Sequence, residues 1–151
     1  MFGKYISLLP LALASCSISA PLAHKDKAPS SNGPPETIYL SNCNVHNSIM
    51  RSAMFYYPAG AESVHGELPE SGNHAGIAGD TIVTWEGNFI RGVFGSGVVF
   101  TSQITAGPHL PLNHSGDGFT YTRNFNCYRD YDRVLFTAPH WGTCYSIYYC
   151  Q

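Results

Sequence analysis

The chain has 151 residues, a one-domain length, and a formal net charge of −2. Charged residues make up 12% of it, about half the share of an ordinary soluble domain, while aromatics reach 13% and glycine counts 15. With no basic block, that balance argues against a nucleic-acid surface built on Lys and Arg, and against long charged helices or coiled coils.

Residues 1–4 carry one positive charge, 5–14 are apolar and rich in Leu and Ala, and 15–20 are small. This order predicts a secretory signal peptide over residues 1–19, cleaved after Ser19, because cleavage after Ala20 would set Pro21 beside the scissile bond. The apolar run is shorter than the about 20 residues a membrane helix needs, so no transmembrane segment is expected. Leu13–Ala14–Ser15–Cys16 also resembles a bacterial lipobox, in which Cys16 would be acylated. Either way Cys16 drops out of the count of 5 cysteines, leaving Cys43, Cys127, Cys144 and Cys150 as two disulfides of an extracellular domain. Residues 20–35, with Pro21, Pro29, Pro34 and Pro35 among Ser, Asn and Gly, read as a flexible leader.

From residue 36 to 151 the vocabulary changes to β-branched and aromatic residues in short runs. Predicted strands cover residues 37–40, 51–57, 81–86, 89–94, 98–105, 119–127, 133–137 and 144–150. In 81–86, Val83 and Trp85 alternate with Thr84 and Glu86, and turns at Gly87–Asn88 and Gly95–Gly97 would make a three-strand meander. The expected fold is all-β, an antiparallel sandwich or small barrel closed by two disulfides. Were 144–150 a strand, Cys144 and Cys150 would lie about 20 Å apart, too far to bridge. Two pairings remain, and Cys43–Cys150 with Cys127–Cys144 is the expected one. Cys144, Ser146, Tyr148 and Cys150 would share one face of that strand, with Tyr145, Ile147 and Tyr149 on the other.

Two long loops are expected. Residues 58–80 carry Glu62, His65, Glu67, Glu70, His74 and Asp80, and 106–118 carry His109, His114 and Asp117. The first loop matches no standard metal spacing, so a solvated acidic loop is expected, with no metal or cofactor. Asn113–His114–Ser115 is an N-glycosylation sequon. Tyr56, Tyr57, Trp85, Trp141, Tyr145, Tyr148 and Tyr149 offer either core packing or a stacking platform for sugar rings; of these Tyr56, Tyr57, Trp85, Trp141, Tyr145 and Tyr149 are the candidate binding residues. From residue 36 onward there is no lysine, and five arginines against nine acidic residues give a net of −4. Six histidines in that stretch (46, 65, 74, 109, 114 and 140) would carry the net to around +2 as pH falls towards about 5.

Two resemblances follow from these segments. Asp132–Arg133–Val134–Leu135–Phe136 looks like a segment of the secreted guanyl-type ribonucleases of fungi. That resemblance would make Glu86 a base, Arg133 a phosphate clamp and His140 an acid, although the Tyr-x-His element and the helix of those enzymes are missing. Residues 38–43 (IYLSNC), 84–87 (TWEG), 132–136 (DRVLF) and 144–150 (CYSIYYC) together resemble small secreted, cysteine-containing proteins of filamentous fungi, similar to the effector or elicitor type. That likeness implies an extracellular, non-enzymatic protein acting by contact with a host or extracellular protein or glycan, and it brings no catalytic residues. A small secreted hydrolase of the ribonuclease kind and a cell-wall-associated structural or glycan-binding protein are the alternatives.

Overall fold

The computed structural model describes residues 33–45, 49–77, 79 and 81–151. The predicted signal peptide with Cys16, most of the leader, His46 and Asp80 lie outside the described residues. At the leader's end, the Pro34 carbonyl accepts a hydrogen bond from the Gly60 N–H at 2.8 Å.

Among the described residues there are nine strands, all pairing antiparallel. In chain order they are β1 (Thr37–Val45), β2 (Ile49–Tyr57), β3 (His74–Gly76), β4 (Phe89–Val93), β5 (Val99–Ile104), β6 (His114–Phe119), β7 (Asn124–Arg129), β8 (Val134–Ala138) and β9 (Gly142–Cys150). The sheet runs β3-β2-β1-β9-β7-β6-β5-β4 and curls until its ends meet, forming a nearly closed barrel. At the seam the Gly95 N–H donates to the Gly72 carbonyl at 2.8 Å. Gly92 permits the approach of β4, since a Cβ there would sit 2.7 Å from the Met54 sulfur and 3.1 Å from Ala75 Cβ. Among the described residues no helix is long and apolar enough to cross a membrane.

The ninth strand is where the fold is decided. It pairs with β1 along its length, but the register slips between Leu40 and Ser41, so Ile147 and Tyr148 together oppose Leu40. This two-against-one bulge changes which parity faces inward. Cys144 and Ser146 lie opposite Cys43 and Ser41 on the outer face, whereas Tyr148 and Cys150 lie opposite Leu40 and Ile38 inside the barrel. Two cores result. The barrel interior packs Ile38, Leu40, Met54, Trp85, Phe100, Ile104, Phe125 and Tyr148 around Cys127 and Cys150. On the outer face Leu135 and Phe136 of β8 cover Tyr39, Ala53, Phe55 and Tyr57 around Cys43 and Cys144.

The disulfides follow the faces: Cys43–Cys144 ties the outer core and Cys127–Cys150 the inner one. This corrects the expected pairing, and with it the expectation that Cys144 and Cys150 share a face. The exclusion of a Cys144–Cys150 bridge holds. Both cystines join residues directly opposite one another in neighbouring strands, Cys43 with Cys144 and Cys127 with Cys150.

Residues 81–86 form no strand, so the three-strand meander is β4-β5-β6 instead. The segment is extended and its alternation is real, but its hydrogen bonds leave the ladder: the Val83 N–H goes to Ser52 Oγ at 3.0 Å, and only Glu86 forms a bridge, to Ile104. The predicted strand 119–127 is broken by a turn in which the Thr120 N–H donates to the Arg123 carbonyl at 2.9 Å. Each long loop contains a strand of its own, β3 and β6.

Loop closure ranks the two cystines. A separation of 101 residues for Cys43–Cys144 corresponds to about 4.7 kcal/mol of lost unfolded-state entropy, and 23 residues for Cys127–Cys150 to about 3.4. Urea unfolding is therefore expected to show the double alanine variant of Cys43 and Cys144 less stable than that of Cys127 and Cys150, by about 1 kcal/mol. Gly142, at φ 64° where β9 begins, has the Asn44 carbonyl oxygen 1.8 Å from the position of a Cβ. Gly142→Ala should lower the urea midpoint by the equivalent of at least about 1–3 kcal/mol.

Candidate functional site

Directly opposed residues of antiparallel strands share a face. Register therefore lines up six rings across six strands on the outer face: His74, Phe55, Tyr39, Tyr149, Tyr128 and His114, from β3 to β6. Phe55 and Tyr39 are buried beneath β8 and the 58–67 segment, where the Tyr39 hydroxyl meets Ser63 Oγ at 2.7 Å. The far end of the row is open. Tyr128 and Tyr149 stack with centroids 5.4 Å apart and planes 26° from parallel, and His114 stands edge-on to Tyr128 at 5.8 Å.

Beside this stack, residues 130–133 leave the sheet. Strands β7 and β8 both pair with the same edge of β9, and the four residues between them bridge the stretch opposite the bulge. The carbonyl of Ile147 holds them: it accepts from the Asp130 N–H at 2.9 Å and from the Arg129 guanidinium at 3.2 Å. Asp130 is buried, with Oδ2 accepting from Arg133 Nε at 3.1 Å and Oδ1 from the Tyr131 N–H at 2.8 Å. Arg133 lies over the Tyr39 ring at 5.1 Å, and its Nη1 donates to the Ser63 carbonyl at 3.3 Å. Its Nη2 has no hydrogen-bond partner among the described residues. A concavity of about 250 Å³ opens here, lined by Tyr39, Leu112, Asp130, Arg133, Tyr149 and Gln151.

Backbone strain marks the same place. Among the described residues only Leu112, at φ 64°, and Asp132, at φ 56°, combine a side chain with a left-handed backbone; Leu112 lines this concavity and Asp132 lies in the 130–133 excursion between two residues that line it, Asp130 and Arg133. Such conformations cost of order 1–3 kcal/mol and persist where surrounding bonds enforce them. Here Arg129 enforces both: its carbonyl accepts from the Leu112 N–H at 2.7 Å, and its guanidinium grips both Asp132 carboxylate oxygens at 3.0 and 2.8 Å.

The residues singled out from sequence are dispersed. Tyr149 lies in the open stack and Arg133 beside it. Tyr57 is buried, donating to the Glu67 carbonyl at 2.6 Å, and Trp85 is buried in the barrel with Nε1 on Asn42 Oδ1 at 3.3 Å. Trp141 packs edge-on to Phe55 and His74 under the Arg51 guanidinium. Tyr145 is half-buried opposite Asn42, and Tyr56 lines a separate pocket at one mouth of the barrel. Asn113 is exposed where the loop enters β6, within its sequon. No hydrogen bond or ion pair joins any two of Glu86, Arg133 and His140. Glu86 instead accepts from the Tyr148 hydroxyl, and Tyr148 also carries Arg129 over its ring at 5.1 Å and His109 edge-on at 6.0 Å. The residues that sequence reasoning missed are Tyr39, Tyr128, Asp130 and Gln151. The signal available for Tyr128 was its place next to Cys127, which fixes its register once the cystine is known.

No family model, no curated protein and no solved structure matches the chain.

Burial raises the phenol pKa values of Tyr57 and Tyr148, with Tyr39 and Glu67 adding to the first and the Glu86 hydrogen bond to the second. Tyr149 is raised by burial and then by the Asp130 carboxylate, and Tyr56 by burial and Glu70. A phenol whose folded pKa lies above its unfolded value of about 10 contributes stability fully below that pH and loses it as pH rises further. The urea midpoint should therefore fall as pH rises above about 10, less steeply in Tyr57→Phe.

Proposed function

We infer that the chain is an extracellular binding protein, of the effector or elicitor kind, that holds its target through the open tyrosine row and the Asp130–Arg133 pair. The carrying observation is the Tyr128–Tyr149 stack beside a buried, hydrogen-bonded carboxylate and a guanidinium whose Nη2 has no hydrogen-bond partner among the described residues. A sugar ring suits this chemistry. Its C–H face packs on a phenol ring, while its hydroxyls donate to Asp130 and accept from Arg133 and the Gln151 amide. Two disulfides fit an oxidising compartment, in line with the predicted signal peptide.

Glycan-array binding of the folded protein, repeated with Tyr149→Ala and Arg133→Met, tests the reading. Retention of a glycan class that each variant weakens by about tenfold is expected. No retained glycan, with an extracellular protein captured through the same residues instead, would move the target to protein. Infiltration into leaf tissue beside a reduced, unfolded control tests the elicitor part, which fails if the folded protein evokes no response at any dose.

A second reading, a small hydrolase acting on RNA, rests on Glu86, Arg129 and His109 packed around Tyr148. His109 Nε2 lies 2.8 Å from the Thr105 carbonyl and so carries the proton, leaving Nδ1 as the basic nitrogen. Arg129 is already engaged by Asp132 and the Ile147 carbonyl, which favours a structural role and places this reading second. Cleavage of RNA by the wild type and its loss in Glu86→Gln would establish it; equal behaviour of the two proteins rejects it.

A further inference from the structure

The molecule also carries a chemically different cavity. It opens at the barrel mouth ringed by the start of β1, the β4–β5 turn and the β6–β7 turn, with a volume of about 190 Å³. Its floor is the barrel core itself: Ile38, Phe94 and Phe125 are buried residues with one side towards the interior and one lining the cavity. Tyr56 forms a wall, its ring tilted 55° against Phe94 at 6.1 Å. Along the rest of the barrel Trp85, Phe100, Leu40, Met54 and Tyr148 fill the interior. Eight-stranded barrels are just wide enough to be filled by side chains or to hold one small ligand, and here the filling stops short of this mouth.

The rim defines what fits. Arg123 lies over the Phe125 ring at 5.3 Å and is paired with Glu36, so the charges at the mouth neutralise each other. A carboxylate ligand would have to take Arg123 from Glu36 and leave that half-buried acid unpaired, which is unfavourable. A neutral ligand leaves the pair intact. Thr120 Oγ1 accepts from the N–H groups of Thr122 and Arg123 at 3.4 and 3.1 Å, which leaves its own hydrogen to donate to an oxygen in the cavity. The volume is below the 300–1,000 Å³ usual for drug-sized ligands, which limits the occupant to roughly one ring. Three aromatic walls favour a ring that can pack edge to face.

We propose that this barrel mouth is a binding site for a small neutral aromatic compound bearing one hydroxyl or carbonyl oxygen, of the phenol class. It is independent of the tyrosine row, since none of the residues lining that concavity lines this cavity.

The test titrates phenol, and separately benzoate, into the full protein while following two-dimensional amide NMR spectra. Saturable phenol shifts at residues 38, 94, 96 and 125 are expected, with benzoate weaker. Val98→Trp, which adds bulk at an exposed rim position, should weaken phenol by about tenfold, and Thr120→Val should weaken it to a lesser degree. Four results would overturn the proposal: no saturable shift with the wild type; shifts confined to residues 128 and 149; benzoate tighter than phenol with that preference abolished in Arg123→Met; or unchanged phenol affinity in a folded Val98→Trp or Thr120→Val protein. The wild-type titration decides even if a variant fails to fold.

Discussion

The bulge in β9 is the constraint on which the other features depend. One extra residue, Ile147, slips the register against β1 and sends the two halves of a single strand to opposite faces. A strand with an unbroken period of two would put both of its cysteines on one side and leave one core without a cystine. With the bulge, the outer core has Cys43–Cys144 and the barrel interior has Cys127–Cys150. Each cystine therefore sits inside the packing it stabilises. For a domain this small, two such bridges are a substantial part of its stability.

The same bulge builds the candidate site. A bulged residue leaves ladder groups unpaired, and buried carbonyls need donors. The Ile147 carbonyl is taken by the Asp130 N–H and the Arg129 side chain, which draws residues 130–133 out of line between β7 and β8. That excursion buries Asp130, aims Arg133 over Tyr39 and forces Asp132 into a left-handed backbone. Arg129 thereby acts as a brace: one guanidinium links the bulge, the strained Asp132 and the Tyr148 ring. The strain is held in place by several bonds beside a polar, aromatic-lined concavity.

Legibility in the sequence tracked locality. The edges of β2, β4 and β5 fell within two residues of expectation because turn residues such as Gly87, Gly95 and Gly97 punctuate them. Segment 81–86 misled for an instructive reason. Alternation of Val83 and Trp85 reports extended backbone with one side buried, and that is what the segment has; whether a ladder forms depends on a neighbour, and Ser52 Oγ supplies the bond instead. The tyrosine row was only half visible. Tyr149 stands out in a Tyr-rich terminus, but its partners Tyr39 and Tyr128 lie 110 and 21 positions away and meet it only through register. No hydrogen bond or ion pair links Glu86, Arg133 and His140: Glu86 accepts from the Tyr148 hydroxyl, and Arg133 donates to Asp130 and the Ser63 carbonyl.

What the sequence alone determined is composition-level and local: an all-β domain with four cysteines and no lysine after the leader. These follow from residue chemistry and nearest-neighbour patterning, which need no knowledge of distant contacts. The tertiary structure decided the cystine pairing, the two cores, the barrel mouth and the tyrosine row. All four hinge on strand register, and a slip of a single residue moves every side chain beyond it to the other face. No local pattern in residues 144–150 announces that slip, because Ile147 is as compatible with a regular strand as with a bulge. Only packing against Leu40 on one side and the 130–133 excursion on the other selects it.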